Sequence, residues 1–364
     1  MIGSVRNFID RVRGNGMHAI TTPPMDGVLQ PNNLIEEAPL LAAVDDPDNL
    51  VQRGAEVLFS SGKSLMRLEG EVVSLVEEFP HKISALSVSP EFALAIVLSN
   101  GQLFVRGGKH DGLPIDLAKD GKIQCVTSLC FTNEGTIYLC QGSSGNQLSD
   151  WKRDLMERNA SGSVWKLELS KKSFSKIADG LAFPYGIIAR DDGKVVVSES
   201  WKSRLISIDA SGKVSVVLSD LPGYPARLAP RFGGNGAWLA IFAPRSQLIE
   251  FVLRERKFCH EMLQTIERDL WMAPSLSAPH SFLEPLQGGG LKQLGVMKPW
   301  APTRSFGLVV SLDGNFEPIA SWHSRADGTR HGITSVVDRG ETVIAASKGG
   351  GALIALTHNE GAFA

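Results

Sequence analysis

Between Phe183 and Asp220 apolar and polar positions come in four short bursts separated by turn residues. Gly186-Ile-Ile-Ala runs into Asp191-Asp-Gly, and Val195-Val-Val is an unbroken apolar run. Arg204-Leu-Ile-Ser-Ile-Asp alternates again, and Ser211-Gly precedes Val214-Ser-Val-Val-Leu. Alternation with period two, punctuated by Asp and Gly, predicts four short antiparallel strands in a meander. One such meander cannot bury both of its faces, so it needs neighbours of the same kind.

The chain supplies them. Similar phrases begin at Asp48, Ile83 and Val126, the last interrupted by an insertion from Gly142 to Ala160. A fifth begins at Pro225, breaks off for an excursion over about 244–303, and resumes at Ser305-Phe-Gly-Leu-Val-Val-Ser-Leu-Asp. A sixth runs from His331 to about Thr357. Six meanders predict an all-β fold, a six-bladed β-propeller of four-stranded antiparallel blades, over residues 47–364. Residues 1–46 read as an N-terminal helix, with Val5, Phe8, Ile9 and Val12 on one face, followed by a proline-rich extended linker. Because the sixth phrase runs out early, ring closure is expected to borrow an N-terminal strand. Within the excursion, Leu248, Phe251, Val252, Met262 and Leu263 recur at helical spacing after Ser246, a suitable N-cap, and a short second helix is expected near Glu267 to Trp271. The excursion is therefore expected to form a helical lid in blade 5.

Composition narrows the function. A formal net charge of -2 argues against a nucleic-acid surface, so a small-molecule substrate or a protein partner is expected. The 4 cysteines make no disulfide framework in 364 residues. No apolar run reaches the ~18 residues of a membrane span, so a soluble, cytoplasmic protein without stable membrane insertion is expected.

In a propeller the innermost strand of each blade starts at the central channel, and the second strand ends at the same rim. The converging starts are Asp48 with Asn49, Ser84, Thr127 with Ser128, Tyr185, Ala226 with Arg227, and His331. The converging ends are Ser60, Gln141, Glu199 and Ser347. From these, His331 and Glu199 are candidates for a base and an acid, and Tyr185 for a donor to a developing oxyanion. Arg227, Asp48, Asn49, Ser128, Gln141 and the loop residue Trp201 are candidates for binding substrate. The bland alternative is a structural ion pair between Glu199 and Arg227, with His331 capping a turn.

Phe183-Pro-Tyr-Gly, Asp220-Leu-Pro-Gly-Tyr-Pro, the Ser305 phrase and His331-Gly-Ile-Thr-Ser-Val resemble strictosidine synthase-like propellers and, more distantly, the calcium-dependent gluconolactonase-like ones. The resemblance implies a six-bladed propeller acting on a small molecule. It also implies a calcium site built from acidic and amide oxygens, but its positions here read Asp48, Thr127 or Ser128, Tyr185 and Ala226-Arg227. An arginine there has the wrong sign, so no metal ligands and no cofactor are expected. The glutamate that strictosidine synthase places two residues after its histidine is Ile333 here, which removes the acid of that condensation.

Three expectations follow. The first is a metal-independent enzyme hydrolysing a lactone or ester, or opening a related ring. The second is a non-catalytic ligand-binding module, associated with a transporter. The third is a condensing enzyme that uses a different acid, such as Glu199.

Overall fold

The computed structural model describes residues 22–278, 284, 292–293, 296–297 and 304–357. The expected N-terminal helix lies outside the described residues.

The alternating phrases become six four-stranded antiparallel sheets. Their innermost strands are Pro47–Arg53, Ile83–Val88, Val126–Asn133, Pro184–Ala189, Gly223–Pro230 and Ile333–Asp338. Each pairs with the next strand in the chain, and four of the blades step outward in sequence order to a solvent-facing edge. The fifth reaches its third strand, Leu308–Leu312, only after the long excursion. The second strands carry the most continuous apolar runs because neighbouring blades cover both of their faces. Val195–Glu199 and Ala237–Pro244 are buried throughout.

The sixth blade has three strands of its own, and its fourth is Leu40–Ala43, paired antiparallel with Ala352–Thr357. Ring closure thus joins the two ends of the chain, and this strand comes from the stretch that reads in sequence as linker. Upstream, residues 32–38 strap the fifth and sixth blades together. Asn32 Nδ2 donates to Ser321 O, Arg330 donates to Ile35 O, and the Ile35 side chain is fully buried.

The excursion begins with two helices, Gln247–Val252 and Arg256–Thr265, where the apolar spacing suggested one. Ser246 caps the first, its Oγ accepting from Ile249 N at 3.2 Å. Its buried side chains are Ile249 and Val252, while Phe251 stays about half exposed, so the inward face is rotated from the one the spacing suggests. The expected second helix is a single 3₁₀ turn, Arg268–Leu270. Ile249, Val252, Cys259 and Met262 share one apolar cluster with Phe242 and Trp271, which seats the insertion against the fifth blade. Among the described residues, no helix is long and apolar enough to cross a membrane.

Candidate active site in a divided channel

Every innermost strand loses register with its neighbour in its first half: Asp48/Val51, Ile83/Ala85, Val126/Ser128, Pro184/Ile187, Pro225/Leu228 and Ile333/Ser335. A β-bulge re-aims side chains and sharpens the twist. Beside these irregularities one residue of each blade, Asp48, Ser84, Thr127, Tyr185, Arg227 and Thr334, meets the others by side chain or carbonyl around Arg227 and Asp48. Gly186 follows Tyr185 in the fourth blade. A Cβ on it would lie 2.7 Å from backbone atoms of Ala226, Arg227 and Leu228, so its absence lets the fourth blade press against the strand that carries Arg227.

Arg227 crosses this ring. Its Nη1 donates to Asp48 Oδ1 at 2.5 Å, and its Nη2 to Ser84 O and Thr127 O at 3.0 and 2.9 Å. The guanidinium also lies 5.0 Å from the centre of the Tyr185 ring. Thr334 Oγ1 donates to Asp48 Oδ1 at 2.9 Å, and the Lys348 ammonium donates to Asp48 Oδ2 at 2.9 Å. Burial alone would raise the Asp48 pKa, but Arg227 and Lys348 outweigh it and hold the group down at about 2. Burial likewise opposes the charge on Lys348, yet Asp48 leaves its pKa above the ordinary value. Tyr185 is raised by burial, with Arg227 opposing, and so stays a neutral hydroxyl.

The plug divides the channel. On the side where the inner strands start is a chamber of about 420 Å³. One wall is aromatic: Trp201 stacks on Phe183 at 4.5 Å, and Trp151 and Tyr185 each meet Phe242 edge-on at 5.3 and 5.9 Å. Trp201 is held by its Nε1 donating to Asp154 at 2.8 Å. The opposite wall is charged, with Asp46, Asp48, Lys82 and Lys348. Asp46 has a left-handed φ of 50° and meets Lys82 at 3.2 Å and Lys348 at 3.3 Å. Positive φ at a non-glycine residue in a pocket wall is strain of the kind found at functional sites.

The sequence candidates separate accordingly. Asp48, Tyr185 and Trp201 line this first chamber. Asn49 and Ser128 line a second, on the far side of Arg227. Gln141 faces into its own blade, accepting from Ser163 Oγ at 2.8 Å and Trp165 Nε1 at 3.4 Å. Glu199 is fully buried away from both chambers, paired with Arg204 at 2.6 Å and Lys202 at 2.8 Å and accepting from Ala182 N. It therefore forms an ion pair, but not with Arg227. His331 is fully buried too: Nδ1 meets Ser305 Oγ at 2.7 Å and Nε2 meets Arg325 O at 2.7 Å, and burial lowers its pKa. With both ring nitrogens engaged it has no free position for a base's work, and Thr334 holds the channel place expected of it. Neither residue lines the chamber.

Sequence reasoning missed Asp46 and Lys348. Lys348 follows Ser347, itself expected at the rim, and Asp46 directly precedes the first inner strand; extending the rim by one residue at each place finds both.

The resemblance implies calcium held by oxygen ligands at the ring. The ring's one carboxylate already faces a guanidinium and an ammonium, and the carbonyls of Ser84 and Thr127 already accept from the same guanidinium. A site with two fixed positive charges and one carboxylate does not fit a divalent cation, which takes six to eight oxygens. Among the described residues, no three His, Cys, Asp or Glu side chains are grouped to hold a metal.

Closed radial sheets around a divided channel define a six-bladed β-propeller, and comparisons with known proteins agree. The strictosidine synthase family model matches residues 128–208. Adipocyte plasma membrane-associated proteins are similar: that of Rattus norvegicus is 24% identical over 273 residues, covering 66% of this chain and 72% of the relative. That of Mus musculus is also 24% identical over 273 residues, covering 66% of this chain and 65% of the relative. Among solved structures, a gluconolactonase from Xanthomonas campestris superposes with a TM-score of 0.54 at 12% identity, covering 87% of this chain and 88% of that one. The chain is thus similar to strictosidine synthase over part of its length and shares its six-bladed fold with the gluconolactonase.

Proposed function

We propose that the protein is a metal-independent hydrolase of a lactone or ester, working in the first chamber. The observation that supports this most directly is the Lys348 ammonium at the chamber wall, held between Asp48 and Asp46. A fixed ammonium beside the neutral Tyr185 hydroxyl makes a pair of donors suited to the oxyanion of a tetrahedral intermediate. Asp46, the less buried of the two carboxylates, supplies the base. Water attacks the acyl carbon and passes its proton to Asp46. The acyl carbon–oxygen bond then breaks, and the departing alkoxide takes that proton back, leaving a hydroxy acid from a lactone or an acid and an alcohol from an ester. The aromatic wall takes the apolar body of the substrate. Asp48 holds Lys348 and Arg227 in place and stays out of the proton transfer, because a carboxyl with a pKa near 2 is a poor base at neutral pH.

The test is turnover of a panel of γ- and δ-lactones and simple esters by chelator-treated protein. Turnover is expected without added metal, falling roughly 100-fold or more in Asp46→Asn and about tenfold or more in Lys348→Met. Turnover that needs calcium, or that survives Asp46→Asn unchanged, would refute the assignment.

A second reading, ligand binding without chemistry, is favoured by the saturation of Asp48, whose oxygens are both already engaged. Stoichiometric binding of a compound that is recovered intact would support it. The condensing alternative loses its proposed acid, since Glu199 lies outside the chamber.

A further inference from the structure

The aromatic wall of the first chamber is not fixed by one blade alone. Trp201 sits in the 3₁₀ turn Ser200–Lys202 on the rim of the fourth blade, and the other rings gather around it. It stacks on Phe183 at 4.5 Å and has Tyr224, Trp151 and Phe242 at 6.0, 6.3 and 6.4 Å. An indole N–H can only donate, so among apolar neighbours the ring settles where that proton finds an acceptor.

The acceptor comes from the third blade. The short helix Trp151–Met156 lies in the insertion between that blade's second and third strands, and its Asp154 is fully buried. Oδ1 accepts from Trp201 Nε1 at 2.8 Å, and Oδ2 from Asn146 Nδ2 and Asn159 Nδ2 at 3.0 and 3.2 Å. Both asparagine amides also donate to Glu157 Oε2, at 3.0 and 2.9 Å, so the chain before and after the helix closes on it. Burying a carboxylate costs heavily unless hydrogen bonds compensate. Two of these three donors belong to the insertion itself. The third belongs to a ring that lines the chamber, and the same helix adds Trp151 to that wall directly.

We propose that Asp154 is a positioning residue. By taking the indole N–H it fixes the Trp201 ring, and through that ring the insertion of the third blade sets how tightly the first chamber holds the apolar body of its ligand. This role rests on the proposed reading of the first chamber as the ligand site, and it asks nothing of the hydrolytic step.

The test is calorimetric titration with 1-indanone, a planar ketone with no acyl–oxygen bond to break, of the native protein, Asp154→Ala, Trp201→Phe and the double variant. Saturable binding to the native protein is expected. It should weaken about fivefold in Asp154→Ala and about fivefold in Trp201→Phe, which keeps an aromatic ring and removes the N–H. With the N–H gone, Asp154 has nothing left to hold on that ring. The double variant should therefore bind within about twofold of Trp201→Phe, whereas independent effects would multiply to about 25-fold below the native protein. A carboxylate that only stabilises the fold would change affinity by the same factor in both backgrounds, or in neither. Either result would overturn the role, as would the absence of saturable binding to the native protein. If the alanine variant does not fold, Asp154→Leu, which fills the space with no acceptor, takes its place in the cycle. A lactone panel that shows no turnover, with this coupling intact, would remove the hydrolysis and leave the role of Asp154 standing.

Discussion

A guanidinium at the centre of a propeller is tolerated because every direction it faces holds a partner: one carboxylate, two carbonyls and the face of Tyr185. Removing one member of such a buried pair strands the other. Arg227→Met should therefore lower unfolding stability by about 3–5 kcal/mol in denaturant titration, although methionine fits the space. His331 makes the opposite case, a titratable residue that resembles a catalyst only in sequence. His331→Ala should cost about 1–3 kcal/mol through its two lost hydrogen bonds and leave ligand affinity in the first chamber unchanged. A change of tenfold or more in that affinity would mean that His331 reaches the site. Asp48, Tyr185 and Arg227 were legible in the sequence because the repeat phase marks where inner strands begin. His331 misled because the sixth phrase starts at Gly332's turn, and the strand itself begins at Ile333, so the phase pointed three residues early.

Among elements, the bulge in each inner strand does most to make a site from a repeat. It leaves the alternation intact on either side, so the strands were readable from apolar periodicity, but the turn of one side chain toward a chamber was not. That is why Asp48 and Asn49, adjacent in sequence, read as one site and lie in two. Ring closure was legible from a count, since three strands cannot complete a four-stranded blade. The break between the insertion's helices was not, because apolar spacing carries through Leu253-Arg254-Glu255 without a glycine or proline to mark it. A chain beginning at Val44 loses the closing strand and the buried Ile35. Its thermal midpoint should fall by roughly 5–10 °C, with higher-order species on size exclusion as the exposed edge of Ala352–Thr357 seeks a partner. An unchanged midpoint would show that closure contributes little.

At the scale of the molecule, one carboxylate links acid stability to the site. Asp48 is held near pKa 2 when folded and rises toward 3.9 when unfolded. A depressed folded pKa contributes stability above the unfolded value, here about 2.6 kcal/mol at neutral pH, and loses it as pH falls from about 4 to 2. The slope of stability against pH in that window should flatten in Asp48→Asn; an unchanged slope would assign it to other carboxylates. The same carboxylate is held by Arg227 and Lys348, two fixed cations that leave it no oxygen for a metal ion. The direct measurement is calorimetric titration of calcium into chelator-treated native protein, with the thermal midpoint followed alongside. No binding heat and no shift in midpoint are expected up to millimolar calcium. Stoichiometric binding at micromolar affinity, with a raised midpoint, would contradict the account, because it would require Asp48 to leave both of its cations.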